Sequence, residues 1–293
     1  MEKSIVYFTK NISSESLIKI YEKLDKKLEG NVAIKISTGE KGGHNFLSPD
    51  LIKGLVLKLD GTIVECNTAY KGKRFETNEH LETIKHHGFS DIAKIDILDQ
   101  DGEIALDVMG GKHLNVDYVG KNIENYDSML VLSHFKGHVM GGFGGALKNE
   151  SIGLASKEGK CYIHTAGKVK DVDLMFDNFA KQEDFLESMA EACMSVIDYM
   201  DNKIVYINVM NKISVDCDCN ANPKDPCMED IGILASVDPV ALDKACVDLI
   251  YNSNDNGRFE LIERMEKQKA LYLLEYAEKI KLGSKEYKLV DID

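Results

Sequence analysis

Ser128-Met-Leu-Val-Leu-Ser133 runs directly into His134-Phe-Lys-Gly-His-Val-Met-Gly-Gly-Phe-Gly-Gly-Ala-Leu-Lys148-Asn149. The first six residues are short, apolar and followed by loop formers, the pattern of a strand buried on both faces. Such a strand belongs to a parallel sheet covered by helices. The glycine-rich stretch then lies at its carboxyl end, where open α/β sheets place their ligands.

Strand-like and helix-like segments alternate on both sides of this stretch. Upstream, Ser4 to Phe8, Asn31 to Ile36 and Thr62 to Glu65 read as strands. Between them, a helix is expected from Ser14 to Leu28, with Ser13 or Ser14 as its cap, and another opens at Pro49 after Ser48. A third runs from Asn78 to His87. Downstream, Asp184 to Tyr199 reads as a helix and Lys203 to Asn208 as a strand. Ile231 to Ala235 is the last core strand. Asp238 caps a helix that begins at Pro239, and one long amphipathic helix is expected from Arg258 to Lys281, ending at Gly283. Ala93 to Leu98 and Glu103 to Leu106 are expected to pair antiparallel about a turn at Asp101-Gly102. The class is therefore α/β: two-lobed, with a largely parallel sheet, flanking helices and a cleft between lobes. The expected lobes are 1–126, with a small antiparallel element at 91–118, and 127–293, carrying the glycine-rich and cysteine loops.

The chain has 293 residues and a net charge of −13. That balance argues against a nucleic-acid binder, which needs a concentrated basic surface. Lys71-Gly-Lys-Arg74 reads as a solvated loop. No apolar run approaches a bilayer span, and the start does not read as an export signal. Seven cysteines without such a signal suit reduced thiols or metal ligands over a disulfide framework. The expected location is cytoplasmic.

The glycine-rich segment concentrates chemistry. Gly141, Gly142, Gly144 and Gly145 let a backbone approach a ligand and leave amides free for an anion. His134, His138, Lys136 and Lys148 bring acid–base, metal-binding and nucleophilic groups beside them, and Asn149 closes the run. The bland reading is a turn that packs a helix tightly on the sheet. Cys217, Cys219 and Cys227 share a second loop. Thiolates there can bind zinc, iron or a cluster, with a fourth ligand from Asp216, Asp218 or His138, although the spacing is not that of a zinc finger. The alternative is a polar packing loop. Cys66, Cys161, Cys193 and Cys246 sit on apolar faces and read as structural. His44 follows the second strand and either faces the same cleft as an acid–base group or is exposed. His86 and His87 close a helix, where cations suit the dipole.

From Gly137-His138 through Gly-Gly-Phe143-Gly-Gly145 to Lys148, and on to Ile152-Gly-Leu-Ala155 and His164, the chain resembles the nickel-pincer nucleotide-dependent lactate racemase family. The resemblance implies that Lys148 carries a nucleotide-derived cofactor covalently, that His164 binds nickel and that His138 is an acid–base group. The racemases' Gly-x-His-Arg element has no counterpart, because Asn67 to Arg74 contains no histidine. Two-base racemisation by the same residues therefore lacks its second base.

A resemblance covering most of the chain is to domain of unknown function family three-six-two, often described as iron–sulfur or ferredoxin-like. It rests on Lys148-Asn149, Asp216-Cys217-Asp218-Cys219, the run Asp230 to Ser236, Asp238-Pro-Val-Ala241 and Asp243. Many members carry a ferredoxin module after the histidine matching His164. Thr165 to Phe185 holds no such motif, so ferredoxin-type clusters are not expected.

These readings lead to a cofactor- or metal-binding protein, leaning to an enzyme of racemase, epimerase or oxidoreductase type. It would move a proton or hydride on a small hydroxy acid, with His138 and His44 catalytic. Lys148, Lys136, Asn149 and the four glycines would hold the cofactor. His164, Cys217, Cys219 and Cys227 would hold nickel, iron or zinc. The alternatives are a non-catalytic iron–sulfur or metal protein using the cysteine loop, and a scaffold that has lost its cofactor. The expected partner is a small molecule, with no nucleic acid and no membrane; a homo-oligomer and a redox partner both stay open.

Overall fold

The computed structural model describes residues 3–293. The alternation read from the sequence becomes a three-layer α/β arrangement around one eight-stranded sheet. In chain order the elements are β1 (Ser4–Thr9), α1 (Ser14–Lys23), β2 (Val32–Lys35), α2 (Pro49–Leu59), β3 (Thr62–Glu65), α3 (Thr77–His86) and β4 (Ile95–Ile97). Then follow β5 (Glu103–Asp107), β6 (Val116–Gly120), β7 (Ser128–His134), β8 (Lys136–His138), β9 (Gly142–Gly144), α4 (Ala146–Leu154) and α5 (Lys157–His164). The chain ends with α6 (Gln182–Tyr199), β10 (Ile204–Met210), β11 (Gly232–Ser236), α7 (Pro239–Tyr251), α8 (Arg258–Lys267), α9 (Leu271–Lys279) and β12 (Tyr287–Asp291).

The sheet order is β12-β1-β11-β10-β7-β2-β3-β4, and only β11 runs against its neighbours. Segments 1–126 and 127–293 both contribute strands to it. Alternate residues of the central strands feed opposite faces, as a pleated strand requires. Ile34, Ile63, Leu130, Leu132 and Ile207 pack against Leu17 and Ile20 of α1 and Ile52 and Leu55 of α2. Ala33, Val64, Met129, Val131 and Tyr206 pack against Leu147 of α4, Met189 and Cys193 of α6, and Ala245 of α7. Burial on both faces is why these strands read as continuous apolar runs. No helix among the described residues is long and apolar enough to cross a membrane.

Three local expectations are corrected. Ala93 to Leu98 and Glu103 to Leu106 do not form one hairpin. β4 joins the main sheet parallel to β3, while β5 pairs antiparallel with β6. The C-terminal helix is broken into α8 and α9 at Lys269, which adopts the left-handed region at φ +51°. The first helix ends at Lys23, because Leu24 turns extended yet stays buried. Two caps follow expectation, Ser13 accepting from the Ser16 amide and Asp238 from those of Val240 and Ala241, whereas Ser48, expected to cap the helix at Pro49, holds the N-cap position without a side-chain bond. Tyr287 to Asp291, which carries no strong apolar pattern, adds β12 beside β1.

Candidate functional site

β3, β2, β7 and β10 are adjacent and parallel, so their carboxyl ends form one edge. A cavity of about 270 Å³ opens there. Lys35 ends β2, Glu65 ends β3, His134 ends β7, and the loop after β10 brings in Cys217 to Cys219. Lys35, Arg74, Lys136, Lys148 and Lys160 line this cavity against only two carboxylates, Glu65 and Asp218. In a chain of net charge −13, this is a local reversal of sign, and such a lining concentrates anions.

The cysteine loop is tied down by the residue between its cysteines. Asp218 Oδ2 meets Lys136 Nζ at 2.6 Å, and both its oxygens lie 3.1 Å from His134 Nδ1. The other ring nitrogen, His134 Nε2, faces the Asn211 carbonyl at 2.6 Å. Burial alone would raise the Asp218 carboxyl, but Lys136 and His134 overcome it and hold the group well below the usual carboxylate range. With Asp218 fixed, Cys217 and Cys219 both line the cavity. Their sulfurs are bonded to one another, which corrects the expectation of reduced thiols at these positions. A local bond across one residue closes no framework, so the expectation fails for that pair alone. In the bonded form neither sulfur can ligate a metal; reduction frees both.

Lys148 is delivered by α4. The amides of Ala146 and Leu147 donate to Asp243 at 2.8 and 3.0 Å, and Asn208 Nδ2 donates to the same carboxylate at 2.7 Å. Asp243 thus satisfies the exposed amides of the first turn from another element. A Cβ on Gly145 would come within 2.3 Å of Asp243 Oδ1, so glycine is required there by this contact. Gly145→Ala is expected to destabilise the protein by about 1–3 kcal/mol through the forced shift of the cap, read as a lowered thermal midpoint. Lys148 Nζ has no hydrogen-bond or ion-pair partner among the described residues. Burial, and then the charges of Lys136, Lys35 and Arg74, push the Lys148 ammonium down to about 7. A fraction of this amine is therefore unprotonated near neutral pH.

Besides His134, two imidazoles line the cavity, in opposite states. His164 Nδ1 faces the Lys160 carbonyl at 2.7 Å. The carbonyl can only accept, so Nδ1 carries the proton and Nε2 keeps a lone pair. His138 is reversed: the amides of Gly141 and Met140 donate to its Nδ1 at 2.9 and 3.2 Å. Its proton therefore sits on Nε2, which is a hydrogen-bond donor. Burial, and then the Lys148 charge, push His138 well below its ordinary range; burial takes His164 down to about 4. Both rings are neutral at neutral pH, one donating and one accepting.

Other expected site residues separate. Gly142 and Gly144 lie in β9, paired with β8, and the Gly141 amide is engaged by His138, so the run is a hairpin wall more than an open anion cradle. Asn149 Nδ2 donates to the carbonyls of Lys35 and Leu132 and to Ser133 Oγ, while its oxygen accepts from Lys35. Its amide therefore staples β2 to β7. His44 does not face the cavity; it is half exposed and meets Asp225 at 3.4 Å, because the loop after β2 carries it outward. Cys227 stands apart from the other two thiols. Its backbone and sulfur both turn to the Ile213 carbonyl, and His138 takes its place beside Cys217 and Cys219, with one potential ligand atom of each within 4.8 Å.

Arg74 corrects the reading of its stretch as solvated. Its guanidinium is buried, 3.4 Å from Glu40, 3.5 Å from Glu65 and 3.0 Å from the Tyr70 hydroxyl. His80, which has no sequence neighbour of note, completes that network against Glu65 and Asn67. The alternation Glu65 to Arg74 to His80 has no period that would have revealed it.

The profile of the family described as a domain of unknown function (DUF362) matches residues 32–248. The chain belongs to this family. The matched span holds the cavity-lining residues discussed above, from Lys35 to Cys219. This DUF362 member is distantly similar in structure to the lactate racemase apoprotein from Thermoanaerobacterium thermosaccharolyticum, at 13% identity and a TM-score of 0.41, covering 70% of this chain and 50% of that one. A protein from Thermotoga maritima is similar at 12% identity and a TM-score of 0.45, covering 88% of this chain and 57% of that one. The chain thus spans little more than half the length of these structures. No curated protein matches the sequence.

Proposed function

We propose that this DUF362 member is an enzyme that binds a small organic anion, such as a hydroxy or oxo acid, in the cavity at the carboxyl edge of the sheet. The observation that carries the reading is the partnerless Lys148 amine among Lys35, Lys136, Lys160 and Arg74. The surrounding cations hold the carboxylate of the ligand and favour the free amine, two effects that support the same use. The Nζ lone pair adds to a carbonyl carbon, the oxygen leaves as water, and an imine links Lys148 to the ligand or to a carbonyl-bearing cofactor. Nε2–H of His138 hydrogen-bonds a ligand oxygen, and the His164 Nε2 lone pair accepts a proton or holds a metal.

A pincer-type group needs a lysine for attachment and an imidazole for its metal. Lys148, without a partner, and His164, with Nε2 free, fit those two needs in one cavity. Such a group supplies a hydride-accepting metal centre when bound. The second reading, a metal site at Cys217, Cys219 and His138, is favoured by their closeness. Against it, two backbone amides point at His138 Nδ1, and a neutral imidazole that ligates through Nε2 needs its proton at Nδ1.

Titration calorimetry with lactate and with pyruvate, beside elemental analysis of the protein, tests the proposal. One-to-one binding that weakens as salt is raised is expected, because the attraction is screened. No binding of either acid, together with zinc or iron that departs when Cys217 and Cys219 are changed to serine, overturns it in favour of the metal site.

A further inference from the structure

The cationic lining describes only the interior of the cavity. Toward solvent the side chains change character: Val139, Met140, Phe176 and Phe179 line it there. Phe176 is 61% exposed, Val139 56% and Phe179 39%. Other exposed apolar side chains, such as Leu57, Met109 and Phe259, lie away from this cavity. A cluster of large apolar groups left in water beside a binding cavity marks a surface that a ligand covers.

The aromatic rings also form a connected series from the core to solvent. Phe185 is stacked on His164, with centroids 4.8 Å apart and planes at 25°. His164 meets Phe179 at 6.1 Å, and Phe179 meets Phe176 edge-to-face at 5.4 Å and 72°. His164 opens onto the same cavity as the Lys148 amine. An anion held by the lysines, if it carries a planar ring, places that ring against Phe179 and Phe176 by the offset and edge-to-face contacts that aromatic pairs favour.

We infer that the ligand is an organic anion bearing a planar apolar ring, its charged end among the lysines and its ring at the Phe176–Phe179 mouth. This rests on the anion-binding reading of the cavity and narrows it. The ring is either the aryl group of a substrate acid or the base of a nucleotide, which share this chemistry.

The test compares two ligand pairs by calorimetry on the full chain: phenylpyruvate against pyruvate, and adenosine monophosphate against inorganic phosphate. In at least one pair the ring-bearing member binds on the order of tenfold tighter, the effect of a buried aromatic contact. The pair that responds identifies the source of the ring. In a Phe176→Ala/Phe179→Ala variant that ratio falls toward one; both positions are substantially exposed, and circular dichroism confirms the fold. Ratios near one for both pairs in the native protein, or a ratio the double variant does not lower, overturn the inference while leaving an anion site in place. Failure of all four compounds to bind overturns the anion-binding reading, and this inference with it.

Discussion

Lys148→Met is expected to abolish imine formation with carbonyl acids and, at the same time, to stabilise the fold at and below neutral pH. Both effects come from the same burial. The folded protein holds the ammonium down to about 7, whereas an unfolded lysine titrates near 10.4. A folded-state value that is depressed contributes stability above the unfolded value, and that contribution is lost as pH falls through the folded one. The native chain therefore weakens relative to the variant as pH drops from about 10 toward 7 and levels off below it. Because the amine keeps partial access to solvent through the cleft, the gain in the variant at pH 6 is expected to be roughly 2–3 kcal/mol, not the full shift. That corresponds to several degrees in thermal midpoint for a chain of this size. Thermal unfolding from pH 6 to pH 10 should show a difference that shrinks with rising pH. A variant less stable at every pH would mean that Lys148 is a structural cation with a partner.

Asp218→Ala is expected to be among the most damaging single changes at the site. It leaves Lys136 and His134 buried beside one another without their shared carboxylate. Removing one partner from such a buried cluster costs about 3–5 kcal/mol, or roughly 6–20 °C in thermal midpoint. Ligand binding should fall as well, because the loop carrying Cys217 and Cys219 loses its anchor. The carboxyl is held low in the folded protein, so its contribution is present above the ordinary aspartate value and is lost as pH falls through the folded one. Native and variant proteins should therefore converge in acid. Adding Lys136→Met to the variant should recover part of the loss, since the buried lysine charge left without its carboxylate is then gone.

What could be read from residues alone follows from how local the cause is. Ser128 to His134 announces itself because a strand buried on both faces needs a continuous apolar centre, here Met129 to Leu132; Thr62 to Glu65 shows the same with Ile63 and Val64 alone. Lys148 and His138 could be marked together because the glycine-rich segment compresses chemistry into a short span at a strand end, whereas His164, at the end of α5, is marked only through the family resemblance. Arg74 could not, because Glu40 lies 34 residues away, and Glu65, nine residues away, is reached across an irregular loop whose spacing displays no contact. Cys227 misled for the opposite reason: it is near Cys217 in sequence, yet the Ile213 carbonyl turns it aside. The break at Lys269 is tertiary as well. Ala270 packs so closely on Gly142 that a Cβ there would lie 2.5 Å away, and the helical pattern carries no sign of that contact. The tautomers of His138 and His164 depend on backbone groups that no residue pattern displays.

Reductive trapping tests the central claim most directly. The protein is incubated at pH 7 with pyruvate and cyanoborohydride, and intact mass and peptide mapping follow. The account predicts one adduct per chain, located on Lys148 and absent from Lys148→Met. No adduct, or one spread over exposed lysines and retained in the variant, would contradict it.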